Sequence, residues 1–463
     1  MTILEAASAL RRKEVSSVEL TVESLDRIAR QNPKLNAFLT VLDKEARVSA
    51  AQADKERSAG IDRGPLHGIP VAVKDVFYMA GIRTTGGSKL FADFVPNYDA
   101  AVVERLREAG AIIVGKTSMH ELAFGITSNN PHFGAVHNPW DLRRIPGGSS
   151  GGSGSAVGAN LVFMATGNDT GGSVRIPASY CGTVGLKPTF GRISRYGILP
   201  LDFSLDHAGV LARTVRDTAV TLNVLAGYDS RDDSSSREAM EDYSIPPEAS
   251  IRGVRIGWPE NLNAVGVDGE VVQAVARMAQ TAERLGAKIV PISLPDYDAI
   301  NAVHRVILHS EVSALMQPYL GQRDKFSSEL LALLQQGCFL SATDYVNAQR
   351  LRRLMMSEWS KVTAGVECVM TPTTPIAAPK IGETSVVIDG EVQEVRLATT
   401  RLARAANLLG LPAVSIPCGF NSAGLPLGLQ IMGKPFEEGR ILQVAAALQD
   451  ATDFHRILPP QES

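Results

Sequence analysis

Three stretches of the sequence hold residue types that could do chemistry together. They are "GIPVAVKD" (68–75) with Lys74, "PGGSSGGSGSAVGAN" (146–160) with Ser149, Ser150 and Ser153, and "GNDTGGSVRIP" (167–177) with Ser173. Serine is a weak nucleophile at its free pKa and needs a base. No histidine lies close in sequence to Ser173. Lys74 is the remaining candidate. In an apolar run a lysine either snorkels to water or is buried, and burial favours the neutral amine, which can accept a proton. Gly171 and Gly172 let the N–H groups of Thr170, Gly171, Gly172 and Ser173 converge into a concave donor set that suits a developing oxyanion. The chemistry this points to is attack of Ser173 on a carbonyl carbon.

Two other uses of a glycine–serine stretch fit less well. A phosphate loop needs G-x-x-x-x-G-K-[ST] after a strand. "GTVGLKPT" (182–189) comes nearest, with the wrong spacing and a proline where a helix should start. Gly147–Gly151 matches G-x-S-x-G, but that elbow is a strand–turn–helix device. What precedes it is "HNPWDLRRIP", with two prolines and no strand pattern. Of the later histidines, His207, His304, His309 and His455, only His207 has a motif-like setting.

The elements that must position these residues read as alternating helices and strands. The first 32 residues are helical in pattern, with a capping box of Ser16 and Glu19. "GIPVAVKD" reads as a buried strand, and 99–117 as helix, glycine stop and strand. Ser118 and Glu121 offer a second capping box. Residues 153–167 read as helix then strand, and 228–250 as an exposed connection. A strand resumes at Gly253, a helix covers 268–285, "KIVPI" (288–292) is a strand and 299–362 is almost wholly helical. "CVMTPTTPIAAP", "PAVSIPCGF" and "GLPLGLQIMG" read as strands, before a closing helix over 436–449. This alternation predicts an α/β sheet covered on both faces.

Composition bounds the rest. The chain has 463 residues, 44% of them hydrophobic, enough for a large core. A net charge of −3 gives no electrostatic case for nucleic acid. The four cysteines are far apart and form no C-x-x-C pair, so reduced thiols in a cytoplasmic protein are expected, with no metal. No signal peptide or membrane-spanning run is expected.

"GIPVAVKD", "GGSSGGSGSAVGAN", "GNDTGGSVRIPASYCGTVGLKPTFGRIS" and "TPTTP" together resemble the amidase signature family, from about residue 3 to 455. The resemblance implies one unit over 1–463, with a large mixed central β-sheet covered by helices on both faces and a variable substrate-facing helical region at about 299–362. It implies a Ser–Ser–Lys triad of Lys74, Ser149 and Ser173, with a cis peptide at Gly148–Ser149. Neutral Lys74 takes the proton of Ser173 through Ser149. Thr170, Gly171, Gly172 and Ser173 form the oxyanion hole. Ser150, Asp169 and Arg175 support the site, the last two as a buried ion pair. Asn168 stands where many relatives carry Thr or Ser. Phe124, Gly125, Ile126 and Thr127 line the pocket, and Leu330, Leu331, Leu334, Phe339 and Leu340 supply a variable wall.

The leading expectation is a stand-alone serine hydrolase, monomer or homodimer, without cofactor. It would cleave small neutral amides, anilides, carbamates or esters, unless Arg401 or Arg404 holds an anion in the pocket. The alternative is the A-type subunit of a tRNA-dependent amidotransferase. Those subunits typically carry Gln after the arginine of "G-G-S-I-R", and Ile176 follows Arg175 here.

Overall fold

The computed structural model describes residues 1–262 and 266–460. Eleven strands form one sheet: β1 (Phe38–Val41), β2 (Pro70–Lys74), β3 (Ile112–Thr117), β4 (Met164–Asp169), β5 (Val184–Lys187), β6 (His207–Ala212), β7 (Arg255–Pro259), β8 (Lys288–Ile292), β9 (Cys368–Pro372), β10 (Ala413–Phe420) and β11 (Pro426–Gly433). Their spatial order is β1-β3-β2-β4-β6-β5-β10-β11-β9-β7-β8. Pairing is mixed: β2 runs parallel to β3 and β4, while β4–β6, β6–β5, β5–β10 and β10–β11 are antiparallel. Both faces are covered, as the alternation along β2 shows. Val71 and Val73 enter the larger core, and Ala72 enters a second core with Val114, Ala156 and Ala165. The sheet is thus covered on both faces as the alternating pattern implies, and large and mixed as the resemblance implies.

Most local expectations correspond to elements. Ser16 caps the helix Ser17–Leu35 through the box with Glu19. The closing helix is Glu438–Asp450, and 299–362 contains most of three helices, Tyr297–Met316, Ser328–Cys338 and Ala342–Val362. The Ser118–Glu121 box does not form. Leu122 and Ala123 take positive φ, so only a single 3₁₀ turn follows, and the Glu121 carboxylate is instead engaged by Ser88 and His132. Two elements have no clear signature in the sequence. The helix Asp43–Ser58 is alanine-rich with a weak apolar stripe, and β6 is a buried central strand that opens on His207. Phe339 does not line a wall. It is 88% exposed, at the end of the helix Ser328–Cys338.

The glycine–serine stretch becomes the helix Gly151–Gly158, every residue of which is buried. Its glycines permit close approach. A β-carbon on Gly152 would lie 2.3 Å from the Ser118 carbonyl oxygen and 2.5 Å from that of Ala37. The helix therefore packs tightly onto the ends of β1 and β3 and holds Ser149 and Ser150 just before its first turn.

Candidate active site

Lys74 is the last residue of β2, and Asn168 lies one residue from the end of the parallel neighbour β4. The site thus sits at the carboxyl ends of parallel strands, where such sheets place their ligands. The helix starting at Gly151 brings Ser149 and Ser150 to the same point. Lys74 Nζ lies 2.7 Å from Ser149 Oγ, 2.9 Å from Ser150 Oγ and 2.6 Å from Asn168 Oδ1. Lys74, Ser149 and Ser150 are fully buried. Burial pulls the Lys74 amine well below its ordinary range, against the opposing carboxylates of Asp206 and Asp169. Asn168, at a position where many relatives carry Thr or Ser, is therefore a direct partner of the lysine.

Proton counting orients this cluster. An ammonium would donate to all three partners. A neutral amine has two N–H groups and one lone pair. Asn168 Oδ1 can only accept, so it takes one N–H. Ser150 Oγ gives its own hydrogen to the Asn168 carbonyl at 3.3 Å, so it takes the second. The lone pair then faces Ser149, whose hydroxyl donates to it and keeps its own lone pairs for another proton. Ser153 is not part of this set, since its hydroxyl bonds to the Thr166 carbonyl and to Thr117.

Ser173 follows the glycine turn at the end of β4 and is 6% exposed, so this hydroxyl-bearing residue reaches the surface of the site where Ser149 does not. The Ser173 carbonyl accepts from Ser150 N at 3.2 Å, which ties the two serine segments together. Among the described residues the Ser173 hydroxyl makes no hydrogen bond. The peptide Gly148–Ser149 is cis. The oxyanion expectation needs one correction. The Gly172 N–H is taken by Asp169 Oδ1 at 2.8 Å, so it is not available to a ligand. The N–H groups of Thr170, Gly171 and Ser173 have no partner among the described residues.

Asp169 and Arg175 are fully buried and paired side on, Nη2 to Oδ1 at 2.9 Å and Nε to Oδ2 at 3.1 Å. Burial alone would raise the Asp169 carboxyl, but Arg175, Lys187 and Asn407 outweigh it and hold it well below the carboxylate range. Arg175 also donates to the Ala403 carbonyl, Gln430 and Asn407. Asp169 accepts from Gly172 and Val174, so the pair fixes the backbone on both sides of Ser173.

The loop 124–127 borders the serines. Ile126 and Ser128 press on Gly148, Gly125 packs on His120, and Thr127 Oγ1 lies 3.4 Å from His120 Nδ1. Phe124 is buried with its ring 5.4 Å from that of His309. The two arginines of "TTRLARAANLLG" part company. Arg401 turns away and donates to the Gly266 carbonyl. Arg404 is buried against Gly171.

The comparisons with known proteins add what the geometry alone does not. The family model described as Amidase matches residues 19–442. The A-type subunit of the glutamyl-tRNA(Gln) amidotransferase of Coxiella burnetii (strain Dugway 5J108-111) is 40% identical over 483 residues, covering 99% of each chain. The solved A-type subunit of the same amidotransferase from Thermotoga maritima is 31% identical with a TM-score of 0.83, covering 100% of this chain and 98% of that one. A structure described as part of a vestigial protein complex bearing on the origins of an s-triazine catabolic enzyme is 34% identical with a TM-score of 0.93, covering 97% and 98%. These findings overturn the expectation of a stand-alone hydrolase of small amides, anilides, carbamates and esters that works as a monomer or homodimer on a small-molecule substrate alone. The relatives at 40% identity are subunits of an amidotransferase. Among the described residues no helix is long and apolar enough to cross a membrane. With a family model over most of its length and full-length relatives at this identity, the chain belongs to the amidase family.

Proposed function

We propose that the chain is the amide-cleaving subunit of a tRNA-dependent amidotransferase, acting in the cytosol beside protein partners. The observation that carries this reading is the 40% identity over 99% of both chains to the A-type subunit of a glutamyl-tRNA(Gln) amidotransferase. The buried lysine in contact with two serines supports the chemistry. The reading takes the 463 residues as one catalytic unit, with the helical segment around 299–362 on the substrate side.

In this mechanism Ser173 Oγ attacks the carbonyl carbon of a primary amide. Its proton passes to Ser149 while the Ser149 proton passes to Lys74 Nζ. The N–H groups of Thr170, Gly171 and Ser173 take the charge that develops on the oxygen. The relay then runs in reverse and protonates the leaving nitrogen, so ammonia departs and an acyl-Ser173 remains. Water attacks the ester by the same path and releases a carboxylate. The ammonia is consumed on the side-chain carboxyl of the glutamyl-tRNA held by a partner, after that carboxyl has been activated as an acyl phosphate by a nucleoside triphosphate: nitrogen bonds to the acyl carbon and phosphate leaves. Asn168 and Ser150 keep the lysine lone pair on Ser149, and the Asp169–Arg175 pair holds the nucleophile turn. Ile176, where these subunits typically carry Gln, adjoins the brace and leaves the donor set unchanged.

Reconstitution tests the reading. The full chain is combined with the partner subunits from its own source, glutamyl-tRNA(Gln), ATP with Mg2+, and 15N-amide-labelled glutamine or asparagine. Label is expected in the aminoacyl group, at a rate that depends on both partner and Ser173. Ammonia release at one rate with and without partners, and no label on tRNA, would refute it.

A further inference from the structure

Arg404 opens the short helix Arg404–Leu408 and is only 5% exposed. Among the described residues its guanidinium makes no hydrogen bond and no ion pair. Arg175, by contrast, has an acid, two amides and a carbonyl. A buried cation without a partner is costly unless something supplies the opposite charge. The position of Arg404 says where that charge would sit. A β-carbon on Gly171 would lie 3.6 Å from Arg404 Cγ and 3.3 Å from His304 Cε1. Gly171 carries one of the unpartnered N–H groups at the nucleophile turn, so Arg404 and His304 wall the same space.

The surroundings add positive charge. Arg396 and Arg305 are the strongest charged neighbours of Arg404, followed by Glu394. Glu394 is itself paired with Arg396 at 3.4 Å, so it does not neutralise Arg404. Glu329 is a further acid near Arg396. His304 donates Nε2–H to the Thr170 carbonyl at 2.8 Å, which leaves Nδ1 as a buried acceptor without a partner. Burial holds His304 neutral, down to about 3, so it adds no charge of its own. His309, stacked edge-on against Phe124, closes the wall towards the loop 124–127.

We propose that Arg404 is the specificity-determining residue of this site and pairs with a carboxylate on the acyl side of the amide substrate. The inference rests on the reading that Ser173 is acylated, and it replaces the expectation of a neutral pocket. A substrate of this class has its amide carbonyl at Ser173 and its carboxylate a few bonds away, within reach of the guanidinium. The His304 Nδ1 lone pair is placed to accept from a donor on the same molecule.

The test uses the full-length Ser173→Ala chain, which binds without turnover, and calorimetry with succinamate, glutaramate and their methyl esters. At least one carboxylate is expected to bind tenfold or more tightly than its ester. Arg404→Met in the same background should erase that difference, and Arg404→Lys should keep part of it. Equal binding of carboxylates and esters, or no binding of either, overturns the proposal without any change at Arg404. A preference that survives in folded Arg404→Met overturns it too. Labelling of wild-type Ser173 by a fluorophosphonate is read separately. Absence of the adduct speaks against the acyl-serine reading, while adduct formation without carboxylate preference speaks against Arg404 alone.

Discussion

The lysine is where residue-level physics makes the sharpest demands. If Lys74 works as a neutral base, activity should rise with pH through its depressed pKa and then level off. Asn168→Asp places a carboxylate about where Oδ1 now lies, 2.6 Å from Nζ. That charge favours the ammonium, so the rising limb should move to higher pH and activity at neutral pH should fall by 10-fold or more. An unshifted profile with lower activity throughout would point to simple misplacement. Stability gives an independent reading of the same group. The folded chain resists protonation of Lys74 and the unfolded chain does not, so wild-type stability rises with pH between the depressed value and about 10.5. Each unit of depression costs about 1.4 kcal/mol below that window. Lys74→Met should be inactive, and its stability relative to wild type should decline as pH rises, a trend that chemical unfolding at several pH values can follow. The contact of Lys74 with Ser149 was legible because their flanking glycines and prolines form a long, specific pattern. Asn168 was not, since nothing in a sequence says which side chain completes the coordination of an amine across two strands. The Gly172 N–H was misassigned for a similar reason, its partner Asp169 being close in sequence but selected by the fold of the turn.

At the scale of elements, glycine content marks the place where helix and sheet approach most closely. Gly152→Ala puts a β-carbon against two backbone carbonyl oxygens that belong to other elements and cannot swing aside. Overpacking of this kind costs about 1–3 kcal/mol or more, and the helix must shift, carrying Ser149 and Ser150 away from Lys74. Gly269→Ala is the contrast. It lies in the first turn of the helix Gly269–Arg284, with nothing within 4 Å of its added carbon. It should stabilise by about 0.4–1 kcal/mol with activity unchanged. Urea midpoints and activity of both variants check the pair. A stable, active Gly152→Ala would mean that close packing does not set the serine positions. The same contrast explains what periodicity could supply. Helices and strands with a regular apolar stripe were readable, as was the run "PVAVK". The strand β6 was not, because its buried residues "HAGVLA" alternate weakly and its first residue carries a polar ring.

Across the whole molecule, Arg175 connects parts of the chain that are far apart in sequence. Through it the end of β4 is joined to Ala403, Asn407 and Gln430 on β11. The first helix reaches the same body, since the Leu4 N–H donates to Asp217 on the helix Val215–Leu225. The sheet order tells the same story, with β5 pairing with β10 across the middle of the fold. One cooperative unit is what these links predict, and Arg175→Met tests it. The substitution leaves Asp169 buried beside Gly172 and Val174 without its cation. Breaking a buried pair in this way costs about 3–5 kcal/mol. The carboxyl, now governed by burial, should move up from its depressed range and take a proton more easily, so the loss should be smaller at low pH than at neutral pH. Because Arg175 ties the end of β4 to β11 and to the segment 403–407, the calorimetric transition should move down as a single peak. A transition that splits in two, with the segment after residue 250 melting apart from the rest, would show that the chain is two units and that the brace merely bridges them. A single peak with activity lost at temperatures well below the new midpoint would show, in addition, that the brace positions Ser173 beyond its part in holding the fold.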